Sequence, residues 1–115
     1  MTAERLLLDA RTRTVTGPTG AVELSDLQFA LVAAMASRPG MTGATGVLLR
    51  EVWGAGGSSG GAARRRLEVL ASRLRRRLAG IGVSVVTVPK RGYRLELDDR
   101  AAAPSSVSPD GPPVG

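Results

Sequence analysis

Leucine and alanine recur at helical spacing inside the most arginine-rich part of the chain, residues 62–78. The pattern is i, i+3, i+4, i+7 and i+11, and it consists of Leu67, Leu70, Ala71, Leu74 and Leu78. This spacing predicts a helix with a single apolar stripe, from about residue 62 to residue 78. Such a helix must bury its leucines against other elements while its arginines stay in solvent. The chain is therefore expected to fold around a helix that exposes a cationic face.

The side chains opposite that stripe, at about 100° per residue, are mostly cationic. They are Arg65, Val69, Ser72, Arg73 and Arg76, with Arg66 beside them. Val69 is the exception, a β-branched apolar residue in the middle of an arginine face. It is either an ordinary surface valine or a contact for a thymine methyl group in the major groove of DNA.

Positive charge is concentrated in one part of the chain. Residues 64–94 hold ten basic residues and one acidic residue, Glu68, whereas the rest of the chain holds six basic and nine acidic ones. The segment thus carries +9 and the remainder −3. This asymmetry indicates a polyanionic partner, nucleic acid before anionic membrane. The alternative for a run of arginines is an ordinary solvated face, which the run alone does not distinguish from a binding surface. A membrane-bound helix would usually place Trp or Phe on its apolar face, and this helix has neither.

The composition removes most catalytic chemistry. The 115 residues include no His and no Cys, and Lys90 is the single lysine, so no enzyme, cofactor or metal site is expected. The glycine-rich stretch 54–61 lacks the Gly-Lys-Ser/Thr of a phosphate-binding loop. The apolar runs are too short to span a membrane and the N-terminus lacks a signal peptide, which predicts a cytoplasmic protein.

Short β-prone runs lie on both sides of the helical region. Those at 6–9, 12–16 and 21–24, with the turn signal Gly17-Pro-Thr-Gly20, predict an antiparallel meander. Two further runs, at 83–88 and 93–97, are joined by Pro89-Lys-Arg-Gly92 and predict a hairpin with a basic tip.

Two more helices are predicted before the arginine-rich one. Ser25 and Gln28 form a capping-box pattern that opens the first, and Arg38-Pro-Gly40 ends it. The second covers about residues 45–53, with Thr45 as N-cap and Gly54 as the stop. Residues 98–115 contain four prolines and no hydrophobic period, so we expect a folded domain over 1–97 and a disordered tail over 98–115.

Three motifs in this order resemble one known family. They are Leu-Leu-Arg-Glu-Val-Trp-Gly at 48–54, Arg-Leu-Arg-Arg-Arg-Leu at 73–78, and Thr-Val-Pro-Lys-Arg-Gly-Tyr-Arg at 87–94. Over about residues 5–97 the chain resembles the winged-helix DNA-binding (effector) domain of OmpR/PhoB-type transcriptional regulators of bacteria. The resemblance implies an α+β winged helix-turn-helix with an N-terminal antiparallel sheet, three helices and a C-terminal β-hairpin wing.

The resemblance also assigns roles to individual residues. It implies that the arginine-rich helix enters the major groove and that the wing reaches the minor groove. With the exposed face derived above, the predicted DNA contacts are Trp53, Arg65, Arg66, Val69, Ser72, Arg73, Arg75, Arg76, Thr87, Lys90, Arg91 and Tyr93. Two of these have a plain structural alternative. Trp53 is either a phosphate contact or a residue at the core edge, and Tyr93 either reaches the DNA backbone or packs under the wing.

The chain departs from the family pattern at two sites in this region. Leu70 stands where members commonly have His, and Pro89 stands at a commonly basic wing position, so no particular operator is implied. The resemblance suggests that the loop 54–61 meets RNA polymerase, but its composition favours a plain connector. It also suggests tandem head-to-tail binding on direct repeats.

The predicted function is sequence-specific binding of double-stranded DNA by a transcriptional regulator. Two alternatives remain at this point. One is a non-specific basic binder of nucleic acid, and the other is a degenerate winged helix used for protein interaction.

Overall fold

Three helices and two small sheets make up the part of the chain that the structure, a computed structural model, describes: residues 6–54 and 60–97. The strands are β1 (Leu7–Asp9), β2 (Thr14–Gly17), β3 (Gly20–Glu23), β4 (Thr42–Ala44), β5 (Val83–Val88) and β6 (Gly92–Leu97). The helices are α1 (Asp26–Ala36), α2 (Thr45–Trp53) and α3 (Gly60–Ala79), with a 3-10 turn at Pro39–Met41. This α+β architecture confirms the predicted winged-helix fold class.

The first sheet is the predicted meander, with strand order β1-β2-β3 and antiparallel pairing throughout. Its second strand begins at Thr14 rather than at residue 12, because Arg13 adopts a positive φ of 56° within the preceding turn. The turn between β2 and β3 packs on the α3–β5 connection, where the Thr19 N–H donates to the Ile81 carbonyl at 3.1 Å. The meander is thereby joined to the end of α3.

Helix α1 begins with the capping box that the sequence predicts. The Gln28 N–H donates to Ser25 Oγ at 3.2 Å, and the Ser25 N–H donates to Gln28 Oε1 at 3.1 Å. Together these bonds satisfy two backbone donors at the helix start. The helix contributes Leu31, Val32, Ala34 and Met35 to the core.

The start of α2 differs from the prediction that Thr45 is its N-cap. Ala44 occupies the cap position with no side-chain bond, and Thr45 is the first helical residue. The reason is tertiary: β4 runs directly into α2, and both the N–H and the hydroxyl of Thr45 donate to the Arg91 carbonyl, at 2.9 and 3.3 Å. Gly54, with a φ of 85°, ends the helix as predicted.

The second sheet has the order β4-β6-β5, and its strands β5 and β6 form the predicted hairpin. Sequence patterning did not predict β4, whose three residues pair with β6 from Thr42 opposite Arg94 to Ala44 opposite Gly92. A largely aliphatic core lies between this sheet and the helices. Leu31, Met35, Leu48, Leu67, Leu74, Leu78 and Leu95 are among its fully buried side chains.

Two predicted segments lie wholly or mostly outside the described residues: the tail, 98–115, and most of the glycine-rich loop, 54–61. Within the described residues, no helix is both long enough and apolar enough to cross a membrane. The boundary at residue 97 thus stays a prediction.

We expect truncation after Leu97 to leave the melting temperature unchanged within experimental error. The tail is too poor in apolar residues for its burial to offset the entropy of ordering it. Thermal unfolding of the 1–97 and 1–115 proteins, followed by circular dichroism, measures the difference. A drop of more than about 4 °C, roughly 1 kcal/mol for a domain of this size, would contradict the prediction.

Candidate nucleic-acid interface

Helix α3 separates apolar and cationic side chains as the sequence predicts. All five residues of the leucine and alanine stripe are buried, together with Ala63, and the arginines of the helix are exposed. The helix starts at Gly60 and ends at Ala79, one to two residues beyond the predicted limits. Burial of the stripe fixes the rotation of α3 about its axis, so the opposite face must point to solvent.

Two ridges of side chains form this exposed face. One, at i±4 spacing, consists of Arg64, Glu68, Ser72 and Arg76, and the other consists of Arg65, Val69 and Arg73. The first ridge borders the hairpin, and Glu68 lines a depression on that side. The second ridge borders α1 and α2, and Val69 lines a separate depression there. Among the described residues, Arg65, Arg73 and Arg76 have no hydrogen bond or ion pair, so their guanidinium groups are available to a ligand.

The depression beside the second ridge is apolar at its floor and cationic at its rim. Leu27, Trp53, Val69 and Leu70 line it, and Arg65, Arg66 and Arg73 surround it. Val69 is 46% exposed and Leu27 is 41% exposed. The predicted exposure of Val69 is confirmed. Sequence patterning missed Leu27, because the capping box gave the position of α1 along the chain but not the direction of its first turn.

Trp53 ends α2 and lies half-buried against the core. The Arg66 guanidinium carbon lies 5.2 Å from the centroid of its ring, a cation–π contact that holds both side chains at the edge of the α3 surface. This arrangement shows the core-edge packing of Trp53. Its contact with a phosphate stays a prediction.

Two arginines of α3 are tied to the protein itself. The Arg75 Nε donates to the Val85 carbonyl of β5 at 2.9 Å, and an Arg77 Nη donates to the Glu23 carbonyl of β3. These bonds brace α3 against both sheets. Arg75 is a predicted DNA contact, and only its terminal guanidinium nitrogens are left to donate hydrogen bonds to DNA.

The hairpin is the predicted wing, and its tip is more constrained than a flexible basic loop. The Arg91 N–H donates to the Val88 carbonyl at 3.0 Å and Lys90 has a φ of 63°, as the third position of a type II turn requires after Pro89. The Arg91 carbonyl also receives both bonds from Thr45 described above. The wing is thus fixed to the start of α2, and the side chains of Lys90 and Arg91 remain exposed.

A cleft of about 330 Å³ lies between the wing, α2 and the first ridge of α3. Its lining includes Arg64, Glu68, Thr87, Lys90, Arg91 and Tyr93. Sequence reasoning did not assign a site role to Arg64 or Glu68. Both residues lie on the i±4 ridge that contains Ser72. Following that spacing from Ser72 toward the N-terminus would have placed them on the exposed face.

Tyr93 packs under the wing, with 9% of its surface exposed. Burial raises the pKa of its phenol, the nearby Glu68 carboxylate raises it further, and Arg75 opposes the shift. The phenol is therefore protonated at neutral pH and remains a hydrogen-bond donor. The structure shows the packing role, and a contact with the DNA backbone stays a prediction.

In the described part of the chain, no group of three or more carboxylates could hold a metal ion. Together, the two ridges of α3 and the wing form the cationic surface.

The chain is similar to known proteins both in sequence and in fold. The family model described as "Transcriptional regulatory protein, C terminal" matches residues 19–95. Among solved structures, the DNA-binding domain of the response regulator AdeR, determined in complex with an intercistronic region, is similar with a TM-score of 0.63. The two chains are 21% identical, and the similarity covers 81% of this chain and 95% of the AdeR chain. No curated protein matches the sequence significantly.

Proposed function

Since the chain belongs to the family of C-terminal domains of transcriptional regulatory proteins, we propose that it binds double-stranded DNA sequence-specifically as the effector domain of such a regulator. The observation that carries the proposal is the exposed face of α3, where Arg65, Arg73 and Arg76 have no partner among the described residues. AdeR, whose fold is similar, was solved on DNA, which supports the proposal. In this role the domain binds DNA and performs no catalysis.

The two halves of the surface have different tasks in this proposal. The major groove of B-DNA is about 12 Å wide and admits one α-helix, so α3 places its exposed ridges against base edges. Arg73 at the middle of the helix donates to guanine, and Val69 contacts a thymine methyl group. Lys90 and Arg91 on the wing neutralise phosphates and point toward the adjacent minor groove.

Two further elements of the proposal come from the family resemblance. Copies of the domain bind head-to-tail on direct repeats, and the protein acts in the cytoplasm, at the nucleoid. The composition of the loop 54–61 favours a plain connector over a contact with RNA polymerase.

Selection of duplexes from a random pool, followed by competition at fixed salt, tests this function. A specific regulator should prefer its selected duplex over a scrambled one by roughly 10³-fold or more. Equal affinity for both duplexes would favour the non-specific binder instead. No affinity for any duplex at low salt would favour a protein-interaction module.

Substitutions on α3 and on the wing are expected to have different effects. Arg73→Ala should cost about 1 to 3 kcal/mol on the preferred duplex and flatten discrimination at one or two base pairs. The double variant Lys90→Ala with Arg91→Ala should weaken preferred and scrambled duplexes evenly, because it removes phosphate contacts. It keeps the Arg91 carbonyl that binds Thr45, so the wing should stay in place. If the wing variant alone abolishes sequence preference, the assignment of α3 as the base-contacting element is wrong.

A further inference from the structure

Glu68 is the single acidic residue between positions 64 and 94, and the structure places it inside the cationic surface. It is exposed on α3 and lines the cleft together with Arg64, Lys90 and Arg91. Yet no cation of residues 6–54 or 60–97 comes within ion-pair distance of its carboxylate. Three cations thus surround this acid without neutralising it by direct contact.

A carboxylate at this place adds a repulsion toward the phosphates of DNA of any sequence. Lys90 and Arg91 attract phosphates to the cleft, and the Glu68 charge repels the same phosphates. Two like charges about 6 Å apart in a water-like dielectric cost a factor of about three in binding. A surface that served phosphate binding alone would have a neutral or basic residue here.

The position of Glu68 on the helix suggests what its charge does instead. It is exposed on the first ridge, one helical turn from both Arg64 and Ser72, in the middle part of α3. In the proposed binding mode the exposed ridges of α3 face the base edges on the floor of the major groove. A carboxylate can only accept hydrogen bonds, and the donors on that floor are the exocyclic amines of cytosine and adenine.

We propose that Glu68 determines specificity by accepting a hydrogen bond from a cytosine N4 amine and by weakening the binding of duplexes that offer no donor there. This inference rests on the proposed function and names one base that the site recognises. Among carboxylate contacts in the major groove, acceptance from cytosine N4 is the pairing that geometry favours. Because the free carboxylate opposes phosphate binding, a duplex without that donor leaves the repulsion uncompensated.

The test measures binding of the full chain to its selected duplex and to a set with every single base-pair substitution, at one salt concentration. The wild-type protein should discriminate at one C·G pair by roughly 5- to 150-fold. Glu68→Ala should reduce that ratio to below about twofold and raise affinity for scrambled DNA about threefold. Glu68→Gln should shift the preference at the same pair from cytosine to adenine, since an amide reads adenine N6 and N7.

Glu51→Gln is the matched control, because it makes the same change in net charge on α2, where Glu51 pairs with Arg38 at 3.4 Å. It should leave the discrimination at every base pair unchanged. Identical discrimination profiles for wild type, Glu68→Ala and Glu68→Gln would overturn the inference while leaving the proposed function intact. Failure of the wild-type protein to bind any duplex would overturn both.

Discussion

Affinity for the preferred duplex is expected to fall roughly 250- to 4,000-fold when salt is raised from about 50 to about 200 mM. The cations of α3 and the wing should neutralise about five to seven phosphates, which gives a slope of log K against log salt of roughly −4 to −6. The contributing side chains are Arg65, Arg66, Arg73, Arg75, Arg76, Lys90 and Arg91. Arg94 is not expected to contribute, because its guanidinium is paired with Glu96 at 2.6 and 3.0 Å.

Fluorescence anisotropy of a labelled duplex across this salt range measures the slope. Arg11→Ala serves as a control, since Arg11 lies in the exposed turn after β1, within the meander. That variant loses one positive charge but should keep the wild-type slope, whereas the wing variant should be shallower by about one to two units. A slope near zero for the wild-type protein would rule out nucleic acid as the partner.

Gly92→Ala is expected to destabilise the domain by roughly 3 kcal/mol or more. A methyl group built on Gly92 would collide with the Gly43 carbonyl oxygen and would lie 2.9 Å from both Ala44 Cα and Thr45 N. These are backbone atoms of β4 and of the start of α2, so they cannot move aside separately. Either β6 separates from β4, or the base of the wing shifts away from α2.

Gly46→Ala is the matched control for this substitution. Gly46 is the second residue of α2, and a methyl group there would meet no heavy atom within 4 Å. The substitution reduces the conformational freedom of the unfolded chain. It should therefore stabilise the protein by about 0.4 to 1 kcal/mol. Urea unfolding of both variants gives the two values, and a Gly92→Ala protein within about 0.5 kcal/mol of wild type would contradict the steric argument.

Most secondary elements could be predicted because their signals are local. The capping box of Ser25 and Gln28 lies within four residues, and the leucine stripe of α3 depends only on spacing along one helix. The family motifs supplied the fold class and the wing. The limits of each predicted element agree to within two residues, and the two-residue displacement at the start of β2 comes from the backbone of Arg13.

The candidate site could be predicted only in part. The exposed arginines of α3 followed from the position of the buried stripe, and Val69 is exposed as the spacing indicated. Glu68 was noticed as an isolated acid but not as a member of the site. Two of its cationic neighbours in the cleft, Lys90 and Arg91, come from the wing, more than twenty residues further along the chain.

The sequence by itself determined which residues form helices, which face of α3 is buried and where the positive charge accumulates. These properties depend on contacts within a turn or on the periodic burial of leucine. Only the tertiary structure decided that Thr45 binds the Arg91 carbonyl rather than capping its own helix, that β4 exists, and that Arg75 braces β5. Each of these is a hydrogen bond between elements, and its partner is chosen by how the core packs, which no spacing along the chain encodes.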